Sequence, residues 1–322
     1  MTKLIIQIPC HNEEESLPVT LSELPRRLEG VDVVEWLVID DGSTDRTAKV
    51  ARDLGVDHIV RLPRRQGLSR VFMAGLEASV AAGADVIVNT DADNQYQAAD
   101  IGLLVAPILD GRADMVVGAR PIGTTAHFSG LKKSFQRLGS WATRKISGTD
   151  VEDAPSGFRA VSRSAAMKLH VFNQYTYTVE TIIQAGQMGM VVISVPIRTN
   201  PDLRPSRLVR GLGRYISRQL LVMTRVLMTY RPFRFFAGPG LVLFAGGFLL
   251  GLRFLFYYLT QGGQGRIQSL ILAALLMGAG FFLVIVGLLA DLLAVNRVLL
   301  EGVDWRLKRI EERLGDRRNG EP

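Results

Sequence analysis

At 322 residues the chain can form one large domain, or one domain with an appendage, and a 48% hydrophobic content spread unevenly along it points to the second. The formal charge of +7 is local: eight arginines and no acid lie between Leu203 and Phe236, which leaves the remainder close to neutral and excludes a diffuse nucleic-acid-binding surface. A single cysteine, Cys10, excludes an intrachain disulfide and fits a reducing compartment.

Leu4 to Ile8 reads as a buried strand and Glu14 to Leu28 as a helix. The opening run LIIQIP is too short for a signal peptide and lacks a small-residue cleavage site, so the first domain is expected in the cytoplasm. Val33 to Ile39 is a second strand running into two aspartates. Thr44 to Leu54 fits a helix, and His58 to Leu62 a short strand. Leu68 to Ala82 is helical, Val86 to Asn89 a strand, Asp100 to Leu109 a helix and Met115 to Ala119 a strand. Strands and helices alternating at these lengths predict an α/β fold with a mostly parallel sheet covered on both faces. Ligands in such sheets sit at the carboxyl ends of the strands. Pro9, Asp40-Asp41, Asp91 to Asp93 and Arg120 all fall there.

The composition changes after Leu203. Arg207, Arg210, Arg214 and Arg218 recur every three or four residues, which places them on one face of a helix. Leu208, Leu212, Ile216, Leu220 and Met223 take its other faces, as in an amphipathic helix lying among lipid phosphates; a solvated basic face is the plainer reading. Ala237 to Leu259 and Gln268 to Leu289 are each about 22 residues, enough to cross a hydrocarbon core of about 30 Å. Buried core helices are the alternative, but they usually carry a polar stripe, and here only Arg253 interrupts the apolar runs. The linker around Gly262 to Gly265 makes the pair a hairpin. Arginines crowd before it and recur after it at Arg297, Arg306 and Arg309, so the positive-inside rule places both termini in the cytoplasm. Trp305 to Arg318 carries mixed charge and reads as a separate surface helix. The expected organisation is therefore residues 1–202, an α/β domain; 203–236, interfacial helices; 237–290, a membrane hairpin; and 291–322, a cytoplasmic tail.

Asp91-Ala92-Asp93 is the sharpest local signal for chemistry. Two carboxylates one small residue apart, after a buried strand and followed by Asn94 and Gln95, suit a hard divalent cation such as Mg²⁺ or Mn²⁺. In Asp40-Asp41-Gly42-Ser43-Thr44-Asp45, Gly42 permits a tight turn and Ser43 or Thr44 can cap the next helix; Asp41 can instead accept hydrogen bonds from a nucleoside. Pro9-Cys10-His11-Asn12-Glu13 closes the first strand, with Glu13 suited either to a ribose hydroxyl or to capping the helix. In Asp153-Ala154-Pro155-Ser156-Gly157-Phe158-Arg159, Asp153 can orient an acceptor or serve as a base. Arg120, Lys132, Lys133 and Arg137 supply donors suited to phosphate, although each alone reads as a surface residue. No P-loop, no Gly-x-Ser-x-Gly elbow and no metal-type histidine spacing is present.

PCHNEEE, VIDDGSTDRT, TDADNQY, GAR and DAPSGFRA, in this order and spacing, resemble the inverting family-2 glycosyltransferases of the GT-A (Rossmann-like) fold. Within them the chain looks like the polyprenyl-phosphate (dolichol- or undecaprenyl-phosphate) hexose synthases. TNPDLRPSRL, YRPFRFF and the two apolar segments are similar to the members with a C-terminal transmembrane hairpin. The resemblance implies transfer of one hexose from a UDP- or GDP-sugar to polyprenyl phosphate at the cytoplasmic membrane face. It implies that Pro9, His11, Glu13, Asp41 and Ala92 line the nucleotide pocket. Asp91, Asp93 and Gln95 would hold the metal, with Asp91, Asp93 and Asp153 as the catalytic set. Arg120, Lys133, Arg137, Arg204 and Arg207 would approach the acceptor phosphate. Membrane lipids and a second copy of the chain are further implied partners. Three places depart from the pattern. His11 replaces a frequent aromatic residue, Tyr96-Gln97-Ala98-Ala99 replaces His-Pro-Pro-Glu, and Arg204-Pro205-Ser206-Arg207 replaces the Gly-x-Ser-Lys of many mannose synthases. A processive polysaccharide synthase would carry Gln-x-x-Arg-Trp, which is absent; a non-catalytic nucleotide-sugar-binding membrane protein would have no need of both metal aspartates.

Overall fold

The computed structural model describes residues 1–121, 139–141, 143–171, 177–201, 224–225, 228, 230–262 and 267–319. The predicted Arg-rich amphipathic helix, with Arg204 and Arg207, and the predicted phosphate donors Lys133 and Arg137 lie outside these residues.

β1 (Lys3–Cys10) is buried at seven of its eight positions, as expected of a strand with helices on both faces. It pairs in parallel with β2 (Val33–Asp40) and with β4 (Val86–Asn89), and β2 pairs in parallel with β3 (His58–Arg61). Beyond β4 the sheet continues through β6 (Arg159–Ser162), β5 (Met115–Ala119) and β7 (Val192–Pro196), giving the order β3-β2-β1-β4-β6-β5-β7. β5 and β7 are parallel, whereas β6 runs antiparallel to both of its neighbours. The chain first builds away from β1 on one side and then returns to add β4 on the other. The carboxyl ends of β1 and β4 therefore flank the switch point where an open α/β sheet forms its crevice.

Alternation along the strands divides the core in two. Leu4, Ile6 and Ile8 face one side with Val34, Val38 and Val88, packed on Leu17 and Leu21 of α1 (Leu17–Glu23) and Ile101 and Leu104 of α4 (Ile101–Leu109). Ile5, Leu37, Ile39 and Ile87 face the other, packed on Val71, Phe72 and Leu76 of α3 (Leu68–Ala81). Ala165 and Ala166 of α5 (Arg163–Lys168) and Ile182 and Ala185 of α6 (Thr178–Gln187) complete that layer.

Two helices are shorter than their apolar patterns predict. α1 stops at Glu23 because Leu24, which precedes Pro25, is extended (φ −68°, ψ 134°), the conformation a following proline imposes. α2 (Thr47–Asp53) begins three residues after Thr44 because the preceding loop spends its polar groups on the loop after β1. Neither Ser43 nor Thr44 caps it: Ser43 Oγ accepts the Asn12 amide (3.0 Å), while the Asp45 carboxylate takes the Thr47 amide (2.9 Å). A 3₁₀ turn, Ala98–Asp100, precedes α4.

The C-terminal part is two long helices. α7 (Pro232–Gln261) starts on a proline and ends on Gly262, whose left-handed backbone (φ 73°) returns its amide to the Tyr258 carbonyl (3.1 Å). α8 (Ile267–Asn319) runs through the expected tail without a break, so Trp305 to Arg318 extends the second apolar helix instead of forming a separate one. Pro232–Thr260 and Ile267–Asn296 are long and apolar enough to cross a membrane, with mean hydropathies of 1.9 and 2.7. Only 17% of each apolar window is buried, unlike the core helices of a soluble protein. The two helices touch at small residues. A Cβ on Gly240 would lie 2.8 Å from the Gly280 carbonyl, and one on Gly247 would lie 2.7 Å from that of Ala273.

Candidate active site

The crevice is built by loops that leave β1, β2, β4 and β5. After β1, Asn12 takes a left-handed turn (φ 55°) and its side-chain carbonyl accepts the Thr44 amide (2.9 Å). The Glu13 amide donates to Thr47 Oγ1 (2.9 Å), so the first two loops are laced together. The Glu13 carboxylate accepts the Ser16 hydroxyl (2.5 Å) and its carbonyl accepts the Leu17 amide, but no side chain caps the first-turn amides of α1. His11 is half-buried, and its Nδ1 lies 3.0 Å from the Asp41 carbonyl. A carbonyl only accepts, so Nδ1 carries the proton in that contact.

Asp41 is 4% exposed, and its two oxygens accept the amides of Gln66 (2.6 Å) and Gly67 (3.0 Å). The loop after β3 is thus drawn over the end of β2. Gly42 makes this possible: its φ is +64°, and a Cβ there would lie 2.6 Å from the backbone of Arg64. In the structure Asp41 shapes the wall of the crevice through backbone donors, a role in addition to the nucleoside contact expected of it.

At the end of β4, Asp91 and Asp93 are both half-buried, and Ala92 between them is buried with its carbonyl taking the Thr20 hydroxyl (2.9 Å). Asp93 Oδ1 accepts the Gln95 amide (3.2 Å). Burial pushes the Asp91 carboxyl up to about 7, and the neighbouring Asp93 adds to the shift; Arg120, Arg159 and Tyr96 oppose it. Two carboxylates pressed together at the rim of a dry site attract either a proton or a cation. Among the described residues no group of three or more His, Cys, Asp or Glu side chains surrounds them. The donor set is therefore a pair of hard oxygens, the kind that holds Mg²⁺ or Mn²⁺ and leaves positions open to ligand oxygens.

Arg120 follows β5 and meets Asp153, which is fully buried. Nε donates to Oδ2 (2.7 Å) and Nη2 to Oδ1 (3.1 Å), a bidentate fork that leaves Nη1 outside the pair. Both Asp153 oxygens are thereby engaged.

Several residues of the site carry no obvious signal in the sequence. Arg159, in the DAPSGFRA run, is wholly buried at the start of β6; its Nη1 donates to Thr181 Oγ1 (2.7 Å) and the Thr178 carbonyl (3.1 Å), and its Nη2 to the Ser156 carbonyl. Burial pulls its pKa down, while Tyr177, Tyr96, Asp153 and Asp91 favour its charge. Asn89 is 1% exposed and bonds Gln7, Tyr177 and the Gly157 carbonyl. Past β7, Arg198 forms a fork on Asp100 (Nη2 to Oδ1, 2.5 Å), and Asn200 bonds Glu23 and the Asn94 carbonyl, which holds the loop after Asp93 against the following chain. An arginine buried in a strand and a structural asparagine look, in sequence, like any others.

The strand order, the antiparallel insertion and the strand-end carboxylates define a GT-A-type α/β fold. Glucosyl-3-phosphoglycerate synthase from Mycobacterium tuberculosis superposes with a TM-score of 0.55 at 22% identity, over 70% of this chain and 79% of the other. Residues 5–170 match the family described as Glycosyl transferase family 2, and the chain belongs to that family as a glycosyltransferase. Undecaprenyl-phosphate mannosyltransferase from Micrococcus luteus is 30% identical over 222 residues, 65% of this chain and 89% of that protein. Polyprenol monophosphomannose synthase from Mycolicibacterium smegmatis is 26% identical, covering 61% and 76%. UDP-N-acetylglucosamine--dolichyl-phosphate N-acetylglucosaminyltransferase from Methanococcus voltae is 28% identical, covering 60% and 83%.

Proposed function

We propose that the protein transfers a single hexose, with inversion, from a nucleotide-sugar to polyprenyl phosphate at the cytoplasmic face of a membrane that it enters through α7 and α8. The convergence of Asp91, Asp93, Arg120 and Asp153 at the carboxyl ends of β4 and β5, in a chain that also holds two exposed apolar helices, carries this reading. The relatives support the acceptor more than the sugar. Two are named for mannose and one for N-acetylglucosamine, whereas all three are named for a polyprenyl or dolichyl phosphate.

Asp91 and Asp93, with Gln95, would hold Mg²⁺ or Mn²⁺, which when bound neutralises charge on a nucleoside diphosphate leaving group. A structure of the M. tuberculosis synthase contains Mn²⁺ and UDP. The loops around Pro9, His11, Glu13 and Asp41 bind the nucleoside. Arg120 approaches the acceptor phosphate through the donor it does not share with Asp153. A phosphate monoester has a second pKa of roughly 6 and is mostly ionised near neutrality, so its oxygen attacks the anomeric carbon without a strong base. Asp153 therefore aims Arg120 and does not remove a proton. The working division is residues 1–202 for catalysis, 203–236 for the lipid interface, 237–290 for the hairpin and 291–322 for the tail, with both termini cytoplasmic.

The test uses the purified chain in detergent with Mn²⁺ or Mg²⁺, a polyprenyl phosphate and a panel of labelled UDP- and GDP-sugars. One donor should carry label into the organic phase, one sugar per lipid, with loss on chelation. Polymeric product, or folded protein that labels no lipid with any donor, overturns the reading.

A further inference from the structure

Because β6 runs antiparallel, the turn 153–158 that leads into it lies at the end of the sheet where β4 and β5 leave. Three consecutive carbonyls of this turn are held. Ser156 accepts from Arg159 Nη2, Gly157 from Asn89 Nδ2 (2.9 Å) and Phe158 from the Gly118 amide of β5 (2.8 Å). The middle bond is the unusual one. The ladder between β4 and β6 ends where Asn89 faces Arg159, and past that register the Asn89 side chain supplies the donor that a strand backbone would have supplied. Nδ2 donates also to the Tyr177 hydroxyl (3.0 Å), and Oδ1 accepts Nε2 of Gln7 (2.9 Å), the residue in register with Asn89 on β1. The orientation of the amide is dictated by its partners: the Gly157 carbonyl can only accept, so it takes Nδ2, which turns Oδ1 to Gln7. One side chain thus joins β1, β4, the turn and Tyr177 at the head of α6, and Gln7, Asn89 and Tyr177 are all buried.

Packing alone does not call for this arrangement. Gln7 interrupts an otherwise apolar run in β1, and Asn89 ends an apolar β4. Gln7 Oε1 is buried with no partner among the described residues, and a methyl on Gly75 would overlap it. Two apolar side chains of the same shape would spare the sheet that unmet acceptor, and paired replacements of this kind are nearly neutral or stabilising. What no apolar side chain can do is hold Gly157. Earlier in the same turn stands Asp153, forked onto Arg120, with its Oδ2 accepting the Arg120 amide (3.3 Å) and its carbonyl the Ser156 amide (3.1 Å). The place of the fork therefore follows the place of the turn. We propose that Asn89, oriented by Gln7, is a positioning residue for the acceptor side: by clamping the Gly157 carbonyl to β4 it sets where the Arg120–Asp153 fork stands in the crevice. The inference rests on the reading of Arg120 as the group that approaches the acceptor phosphate.

The experiment compares the wild type, Asn89→Leu and the double variant Gln7→Leu/Asn89→Leu, each as the full chain in detergent. The double variant removes both amides of the pair and keeps their volume, so it decides the matter if Asn89→Leu does not fold. Three quantities are read: hydrogen exchange of the 153–158 and Arg120 amides, affinity for UDP and GDP by isothermal titration, and initial rates with polyprenyl phosphate. In the folded variants, exchange across the turn should rise while that of β1 and β2 holds. Nucleotide affinity should be unchanged, and kcat should fall about 10- to 100-fold, the range expected when a reacting group is displaced by about 1 Å. Wild-type exchange in the folded variants overturns the clamp whatever the rates. Raised exchange with wild-type rates, or a loss of nucleotide affinity that matches the loss of rate, overturns its bearing on the acceptor. If the wild type glycosylates no lipid, the acceptor reading fails and the positioning role falls with it, while raised exchange in the variants still upholds the clamp itself.

Discussion

Asp91 sits under an electrostatic load that a soluble loop aspartate does not bear. Its ordinary pKa is 3.8 and burial, followed by Asp93, raises it to about 7 in the cation-free protein. Between those values the folded chain keeps a proton that the unfolded chain has released. The resulting stabilisation is full at low pH and is lost as pH rises through about 7. Cation-free protein should therefore lose melting temperature on this account between about pH 4 and pH 7, and Asp91→Asn should flatten that dependence. The same substitution relieves repulsion with Asp93, so we expect it to abolish turnover while holding or raising the cation-free melting temperature. A large fall in melting temperature would show that the carboxylate serves the fold instead. Asp153→Asn should behave in the opposite way. It halves a bidentate pair against a mostly buried guanidinium, so it should lower stability by about 1–3 kcal/mol and leave measurable activity, read by denaturant titration and by initial rates. Complete loss of turnover in well-folded Asp153→Asn would mean that the carboxylate takes part in the chemistry.

At the scale of elements, two close approaches carry the argument. The loop after β3 is held over β2 by the two oxygens of Asp41, and Gly42 vacates the space it needs. Asp41→Asn replaces one of two charged acceptors with a donor facing a backbone amide, so stability should fall by about 1–3 kcal/mol and nucleotide-sugar affinity about tenfold, read by denaturant titration and isothermal titration. In the hairpin, α7 and α8 meet through Gly240, Gly247, Ala273 and Gly280, where one side chain would collide with the opposing backbone. Gly280→Leu should separate the helices and lower thermal stability in detergent, whereas Gly278→Leu, where a Cβ meets nothing within 4 Å, should not. Equal effects at both positions would dismiss the small-residue seam. The same elements show how far sequence reaches. The strands β1, β2 and β4 were legible because continuous apolar runs buried on both faces have no polar alternative in water. The ends of α1 and α2 were not, because a proline's effect on Leu24 and the bonds spent by Ser43 and Asp45 belong to particular neighbours and not to periodicity.

For the whole molecule, the expected orientation can be checked with a single labelling series. Native Cys10 is buried, and desolvation raises its thiol pKa well above the ordinary value, so it should give little background. A cysteine placed at Gln264 should react with an impermeant maleimide from outside intact cells, and one at Thr2 only after lysis. The reverse pattern would invert the proposed topology. By itself the sequence determined the alternation of strands and helices, the strand-end aspartates and the two apolar helices, because each follows from local hydrophobic pattern and the length of a run. Tertiary structure alone decided that β6 inserts antiparallel between β4 and β5, bringing Gly157 against Asp91 and burying Arg159. It also decided that Asp153 forks onto Arg120 and that the Tyr96 hydroxyl takes the Gly157 amide. Those contacts join residues tens of positions apart, and no local pattern encodes which distant partner a buried polar group will find.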